Sequence, residues 1–548
     1  MAGLSYAHGT STVPLLGETI GANLAATARR VGNAPALVEC ATGRRWDYPG
    51  LLEWTRKVAR ALLGAGVEKG DRVALWSPNC AEWVALQYAT AMVGAVLVNV
   101  NPAYRTSELE FVLRQSGARL LFSATSYRHS DYRAMAEQVR PALDGLEDVV
   151  FIGDGSWDRF ESASESVSAE ALDAVGAGLS FDDPINIQYT SGTTGFPKGA
   201  TLTHHNILNN GFFVAELLGY TVEDRVCLPV PFYHCFGMVM GNLGATSHGS
   251  AIVIPAPLFD PEATLKAVQA ERATSLYGVP TMFIAELGVD NFASFDLSSL
   301  RTGLMAGSPC PVEVMKRVQS EMHMSEVGIA YGMTETSPVS TQTRRDDDLE
   351  RRTETVGRVM PHIEIKIVDP ASGLTVARGA TGELCTRGYS VMSGYWDEPD
   401  KTAEVIDAAG WMHTGDLAVM RDDGYVNIVG RIKDMVIRGG ENIYPREIEE
   451  FLYTHPAIAD VAVVGVPDPT YGEELVAWIQ LRPGAQPLDS AGLAEFCSGK
   501  IAHHKIPRYV RICDSFPMTV TGKIRKVEMR QVSTVELGLS SAASTRTA

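Results

Sequence analysis

Residues 185–199 constrain the architecture of this chain more than any other stretch. Ile185, Ile187 and Tyr189 alternate with polar residues, as a half-buried strand requires. That strand runs into Thr190-Ser191-Gly192-Thr193-Thr194-Gly195-Phe196-Pro197-Lys198-Gly199. Glycines let backbone N–H groups close on an anion, Ser and Thr hydroxyls add rotatable donors, and Lys198 adds a point charge suited to phosphate. The rigid Walker cradle does not fit. Lys198 is followed by Gly199 rather than Ser or Thr, and Pro197 removes a donor just before it. A connecting turn needs only about two to five residues. The stretch therefore reads as a mobile loop that folds over phosphates.

At 548 residues the chain is too long for one hydrophobic core, since chains divide beyond roughly 250–300 residues. Its 45% hydrophobic and 20% charged content is that of a soluble globular protein. A net charge of −18 with no Lys/Arg-rich run argues against nucleic-acid binding. The eight cysteines lack CxxC or metal-ligand spacing and read as reduced packing thiols. The longest apolar run, 84–100, is broken by Gln87, Gly94 and Asn99, so a buried helix and strand explain it better than a membrane span. Without a basic segment leading into an apolar core at the start, a cytoplasmic location is expected.

Residues 1–14 read as loosely ordered. Helical patterns at 51–65, 81–93 and 132–143 alternate with strand-like runs at 73–76, 95–100 and 119–123, which predicts an α/β layer structure. Residues 156–178, polar and acidic, read as a surface excursion. Beyond the glycine loop, 251–254, 275–277 and 301–306 resemble strands separated by helices. Residues 346–352 read as a solvated loop, and 363–368, 382–386 and 425–429 as β structure with Asp422-Asp423-Gly424 as a hairpin turn. After the polar Arg431-Ile432-Lys433-Asp434, Pro445 is placed to open a helix over 446–454. A β pair at 461–466 and 475–481 and a helix at 493–502 complete a small α+β domain. The expected division is an N-terminal domain 1–430, a hinge 431–435, a C-terminal domain 436–535 and a disordered tail 536–548. The fold class is α/β: a large N-terminal domain of αβ-layered subdomains plus a β subdomain, with a small mobile α+β C-terminal domain.

Four further stretches are polar in ways that turns do not require. Tyr331-Gly332-Met333-Thr334-Glu335-Thr336 offers an aromatic, a hydroxyl and a carboxylate, enough to stack a base, touch a phosphate and hold Mg²⁺, although Thr-Glu also reads as a helix cap. Trp411-Met412-His413-Thr414-Gly415-Asp416 ends in an acceptor-only carboxylate suited to ribose hydroxyls, or to an ordinary turn. Ile437-Arg438-Gly439-Gly440-Glu441-Asn442 is a glycine pair between strand and helix, for which a bare connection is the simpler reading. Pro517-Met518-Thr519-Val520-Thr521-Gly522-Lys523 sets a lysine beside Arg525 and Lys526, in what would ordinarily be a solvated basic cluster.

Together, in this order and spacing, the five stretches resemble the adenylate-forming superfamily of acyl-CoA synthetases, luciferases and peptide-synthetase adenylation domains. The resemblance spans about residues 20–530. Within the superfamily, Gly394-Tyr395-Trp396 and Gly439-Gly440-Glu441-Asn442-Ile443-Tyr444-Pro445 look most like medium-chain fatty-acid–CoA ligases. The resemblance implies that Thr190, Ser191, Gly192, Thr193, Thr194, Gly195 and Lys198 grip the β and γ phosphates of ATP. Thr334 would touch the α-phosphate and Glu335 would hold Mg²⁺. Gly307, Ser308, Pro309, Tyr331 and Gly332 would flank the nucleotide, with Asp416 and Arg431 on the ribose. Lys523 would contact the attacking carboxylate and the α-phosphate. His234, Gly237, Val279, Gly303 and Ala306 would line the acyl pocket, Lys433 would be the hinge, and Arg438, Gly439 and Gly440 would border the coenzyme A tunnel.

The implied reaction is acid plus ATP giving acyl-AMP, then CoA giving the thioester. Charge neutralisation on both partners suffices for the first step. That agrees with the absence of a GxSxG motif. Loading of a carrier protein's pantetheine arm and ligation of an aryl acid are the alternatives. Luciferase-type oxidation and a non-catalytic nucleotide-binding protein are remoter. The expected partners are a carboxylic acid, ATP and CoA, with no nucleic acid and no transmembrane segment, and a homodimer is left open. The segments 236–244, 278–283 and 303–306 are nearly all apolar, and Gly237, Gly241, Gly303 and Ala306 are expected to leave room for an alkyl chain.

Overall fold

The structure, a computed structural model, describes residues 3–190, 197–308, 310–439, 441–518 and 524–539, with the side chain of Asn442 also outside the description. Among the described residues, two large sheets carry the N-terminal part. The nine-stranded sheet has a parallel centre of Pro35–Glu39, Ala251–Ile254, Arg225–Cys227, Ser275–Gly278, Thr302–Ala306 and Glu326–Gly332. The seven-stranded sheet runs parallel through Asp148–Ile152, Leu120–Ala124, Arg72–Trp76, Val96–Asn99 and Pro184–Thr190, then turns antiparallel into Lys198–Thr203 and Gly394–Tyr395.

Strand alternation sorts neighbouring side chains onto opposite faces. Leu37 and Leu75 point into one shared core with helices Ile20–Val31, Tyr48–Gly64, Ala81–Val93 and His204–Leu218. Val38, on the other face of the nine-stranded sheet, packs with helices Pro261–Glu271, Pro280–Leu287 and Val312–Glu321. Ala74, on the other face of the seven-stranded sheet, packs with Thr106–Ser116 and Tyr132–Val139. The result is an α/β/α/β/α stack. Helix Ala81–Val93, mostly apolar, is buried along its whole length in the central layer, Glu82, Gln87 and Thr90 included, which is why its sequence mimics a membrane segment. Among the described residues no helix is long and apolar enough to cross a membrane.

A five-stranded antiparallel sheet follows, Tyr6–His8, Ile363–Val368, Thr381–Gly388, Met412–Met420 and Val426–Arg431. After the short 3₁₀ turn Ile432–Asp434, the strands Val436–Arg438, Glu441–Ile443, Ile458–Asp468, Gly472–Leu481 and Tyr509–Ile512 pair only with one another among the described residues. With helices Pro445–Leu452, Ser490–Cys497 and Lys526–Glu536 they make the smaller C-terminal domain.

Three expectations are corrected. The N-terminal residues are not loose: Tyr6–His8 pairs with Ile363–Val368, and the buried Ser5 donates to the Ala377 carbonyl. A three-residue edge strand is too short to leave a periodic signal. The 156–178 excursion is two helices, Ser156–Ser162 and Ala169–Ala177, that seat Trp157, Phe160 and Leu172 in the core. The 346–352 stretch is not wholly solvated either. Arg352 is buried and donates to the carbonyls of Val327, Arg345 and Asp347.

Candidate active site at the strand ends

Parallel strands present their C-terminal ends together, and ligands of open α/β sheets gather there. The seven-stranded sheet ends at Thr190, whose pairing with Lys198 closes a hairpin. Ser191, Gly192, Thr193, Thr194 and Gly195 lie outside the described residues, so their expected grip on phosphate is left to function. The nine-stranded sheet delivers Val279, Gly307-Ser308 and Tyr331-Gly332 from three adjacent parallel strand ends. Gly307 sits at φ +89°, open to glycine, and a Cβ there would lie 3.2 Å from the Val279 side chain. Pro309 is outside the described residues.

The ribose side is built by register. Asp416 and Arg431 are direct antiparallel partners, and Arg431 Nε donates to Asp416 Oδ1 at 3.1 Å. Tyr331, from a different sheet, donates its hydroxyl to Oδ2 at 2.7 Å. Burial, and then the Asp416 charge, push the Tyr331 phenol well up, so it stays a donor. Asp416 is 8% exposed, whereas the Arg431 side chain is 58% exposed. Behind this carboxylate, Glu383 Oε1 accepts the Gly415 N–H at 3.0 Å and Oε2 meets His413 Nδ1 at 2.8 Å. Gly415 stands at φ +72° where the Met412–Met420 strand is irregular, so Glu383 satisfies a backbone donor that the ladder leaves over. Sequence reasoning missed Glu383. Its one signal is an acid between Gly382 and the buried Leu384 of strand Thr381–Gly388.

Thr334 and Glu335 are buried in the 3₁₀ turn Thr334–Thr336. Glu335 Oε1 accepts the Tyr395 hydroxyl at 2.9 Å, and Lys198 Nζ lies 4.9 Å from the centre of the Tyr395 ring. The lysine and the carboxylate expected to handle phosphate and Mg²⁺ are thus brought to opposite parts of one tyrosine. One carboxylate facing a phosphate lysine fits Mg²⁺, which commonly binds one or two carboxylates plus substrate phosphates.

Phe236–Leu243 forms a fully buried π-helix, a form that recurs at functional sites. His234, half-buried just before it, accepts the Phe236 N–H on Nδ1 at 3.2 Å, so the neutral ring carries its proton on Nε2. Beneath it, the Asn99 and Gln188 amides donate to Met238 Sδ at 3.1 and 2.9 Å, and the Cys235 thiol donates to Gln188 Oε1 at 3.0 Å. The room expected beside the glycines is filled. A Cβ on Gly237 would stand 2.3 Å from the Pro231 carbonyl oxygen, on Gly241 2.7 Å from Leu228, and on Gly303 2.0 Å from the Leu276 carbonyl oxygen. These glycines permit close chain packing, and their size does not measure space for an acyl chain. Ala306 ends a buried strand beside Gly307. A separate groove of about 720 Å³, lined by Leu16, Arg30, Phe212 and Tyr220, shares none of the expected site residues.

In the C-terminal domain, Lys433 sits exposed on the 3₁₀ turn that joins the domains. Gly439 follows Arg438 at φ +60°. Arg438, expected at coenzyme A, is engaged inside the domain. Its Nε and one terminal nitrogen hold the buried Glu474 at 3.0 and 2.8 Å, and the other donates to the His504 carbonyl at 2.8 Å. All three nitrogens are committed within the domain. Gly440 and Lys523 lie outside the described residues.

Residues 24–396 match the AMP-binding enzyme family and residues 447–523 its C-terminal domain. The chain belongs to this family, as a ligase of the acyl-CoA synthetase type. YngI of Bacillus subtilis (strain 168), provisionally named an acyl-CoA synthetase, is 49% identical over 96% of this chain and 99% of its own. The mitochondrial medium-chain acyl-CoA ligase ACSF2 of Danio rerio is 43% identical over 98% of this chain and 91% of its own. Among solved structures, the anthranilate CoA ligase AuaEII in complex with anthranoyl-AMP superposes with a TM-score of 0.85 at 26% identity, covering 96% of this chain and 99% of that one.

Proposed function

We propose that this ligase joins medium-chain fatty acids to coenzyme A through an acyl-adenylate, using Mg²⁺. The observation that carries the reading is the convergence of Tyr331, Asp416 and Arg431 on one side of the strand ends with Lys198 and Glu335 on the other. Asp416 binds the ribose hydroxyls, and Lys198 with residues 190–195 holds the β and γ phosphates. Mg²⁺ on Glu335 supplies charge neutralisation at the phosphates. Thr334 and Lys523 steady the α-phosphate while the substrate carboxylate attacks it. The P–O bond to pyrophosphate breaks as the acyl–O–P bond forms, and no side-chain nucleophile is needed. The thiolate of CoA then attacks the acyl carbon and AMP leaves.

The domain division is 1–430 and 436–535, with the hinge at 431–435. The family matches leave that turn between them, and no strand pairs across it among the described residues. Rotation there exchanges Lys523 for Gly439-Gly440 at the site. A buried unpaired charge is costly, so an acyl site lined by the apolar segments 236–244 and 278–283 would reject dicarboxylic and amino acids. The 43% identity to a medium-chain ligase favours an aliphatic acid. An aryl acid is the second reading, favoured by the fold likeness to an anthranilate ligase. CoA-dependent AMP release across linear acids, benzoates and amino acids tests both. Rates should peak among medium-chain acids, at roughly fourfold per methylene up to the pocket's end. A benzoate faster than every linear acid would move the assignment to aryl acids, and AMP release that ignores CoA would end the CoA-ligase reading.

A further inference from the structure

Segment 392–396 touches both halves of the phosphate site through its backbone. The Met392 N–H donates to the Glu335 carbonyl at 2.9 Å, on the Thr334–Thr336 turn. The Ser393 N–H donates to the Thr201 carbonyl at 3.0 Å and the Trp396 N–H to the Gly199 carbonyl at 2.7 Å, both on the hairpin strand Lys198–Thr203. Gly394–Tyr395 continues this as an antiparallel strand, with Tyr395 opposite Ala200. Tyr395 is then fixed at each end. Its N–H donates to Thr402 Oγ1 at 2.9 Å, its ring lies under Lys198, and its hydroxyl ends on Glu335 Oε1. Tyr395 is 8% exposed, so water does not compete well for these contacts.

We infer that Tyr395 is a positioning residue for the metal carboxylate. Its hydroxyl occupies Oε1 of Glu335 and turns Oε2 to the cation that rides on the ATP phosphates, while its ring sets the height of Lys198 over the same phosphates. A buried carboxylate without this donor can rotate and bind the cation with either oxygen. With it, one oxygen is assigned. Hydrogen-bonded partners of metal ligands govern affinity in this way, and their loss typically costs about 10- to 100-fold. The inference rests on Glu335 being the metal ligand.

The test is Tyr395→Phe, which keeps the ring and removes the hydroxyl, beside Tyr395→Leu and Glu335→Gln. Two readouts are needed. One is the Mg²⁺ concentration for half-maximal acyl-AMP formation. The other is Mn²⁺ binding to the protein with α,β-methylene ATP, followed by the EPR signal of free Mn²⁺. Tyr395→Phe should weaken Mn²⁺ binding and raise the Mg²⁺ requirement by about tenfold. Its KM for the acid and its melting temperature should stay at wild type. Tyr395→Leu should in addition raise the KM for ATP, because Lys198 loses the ring. A shift in Glu335→Gln with none in Tyr395→Phe overturns the inference and leaves the metal assignment standing. Wild-type Mg²⁺ dependence in Glu335→Gln removes the metal assignment itself. A Tyr395→Phe protein whose KM for acid and metal affinity decline together with its melting temperature would mean a general packing role, and would also overturn it.

Discussion

The two ends of the nucleotide site are held by different means. On the ribose side, Asp416 and Arg431 face each other across one strand pair, and a single residue from outside, Tyr331, completes the group. On the phosphate side, Lys198 from the seven-stranded sheet and Glu335 from the 3₁₀ turn after strand Glu326–Gly332 share Tyr395, which arrives from a third segment. Register makes the first geometry almost local. The second exists only when the tertiary fold is complete. The phosphate side should therefore be the more fragile and the more sensitive to motion, and variants on the two sides should fail differently.

The largest effect is expected at Lys523, to which the proposed function gives the α-phosphate. Lys523→Ala should slow acyl-AMP formation by about 10³-fold, the scale of losing a charge-stabilising donor in a transition state. The same protein should still convert supplied acyl-AMP and CoA. Measured half-reactions that fall together would contradict a role confined to the first step. Lys433→Pro fixes φ near −65° within the joining turn, where a hinge must absorb large dihedral changes. Adenylation should survive, and the thioester step should drop by roughly 10²-fold, as when reacting groups are held out of place. Normal turnover in that variant would remove the hinge.

The ribose side should respond in KM rather than in turnover. Asp416 is buried and accepts from two partners, and hydrogen bonds to a charged group are each worth about 1.5–3 kcal/mol. Asp416→Ala should raise the KM for ATP by roughly 10- to 100-fold. Arg431 is mostly exposed, and exposed ion pairs contribute at most about 1 kcal/mol, so Arg431→Ala should cost less than about fivefold. Isothermal titration with α,β-methylene ATP separates the two. Equal losses would mean that Arg431 contacts the nucleotide directly rather than through Asp416.

The same contrast explains what could be read before the fold was known. Asp416 and Arg431 lie in adjacent hairpin strands around Asp422-Asp423-Gly424, whose turn is visible in sequence, but their joint place on the ribose was implied only by the family resemblance. Helix Ala81–Val93 and strands Ala251–Ile254 and Ile363–Val368 were legible because their apolar runs are strong and their ends are marked. Tyr395 was visible only within the resemblance-bearing Gly394-Tyr395-Trp396, because its partner Glu335 lies 60 residues away, and Glu383 was not, because its partners His413 and Gly415 sit on the next strand of the sheet. The glycines at 237, 241 and 303 misled for a related reason: sequence gives the absent side chain, but only the fold says whose atoms fill the gap. The Arg438–Glu474 pair was likewise not legible, since Glu474 belongs to a later strand.

The smallest effect distinguishes the scaffolds behind the two sides, each of which holds a histidine. His413 lies beside the carboxylates of Glu383 and Asp407 and is partly open to water. His204, the first residue of helix His204–Leu218 behind the phosphate hairpin, is fully buried. Its Nδ1 accepts the Ile20 N–H at 3.2 Å, and Nε2 has no hydrogen-bond partner. Burial lowers its pKa from 6.5 to about 4, with Asp183 opposing the shift and Lys69 adding to it. A folded-state pKa below the unfolded value means that the unfolded chain takes up the proton first. Stability is therefore complete above pH 6.5, falls as pH drops from 6.5 towards 4, and levels off below that. The span corresponds to about 3 kcal/mol at 1.36 kcal/mol per pH unit. His204→Asn keeps an acceptor for Ile20 but cannot be protonated, so its melting temperature should fall less steeply than wild type between pH 6.5 and 4. Parallel curves for the two proteins would mean that the acid sensitivity comes from elsewhere, and that the phosphate-side scaffold carries no buried titrating group of consequence.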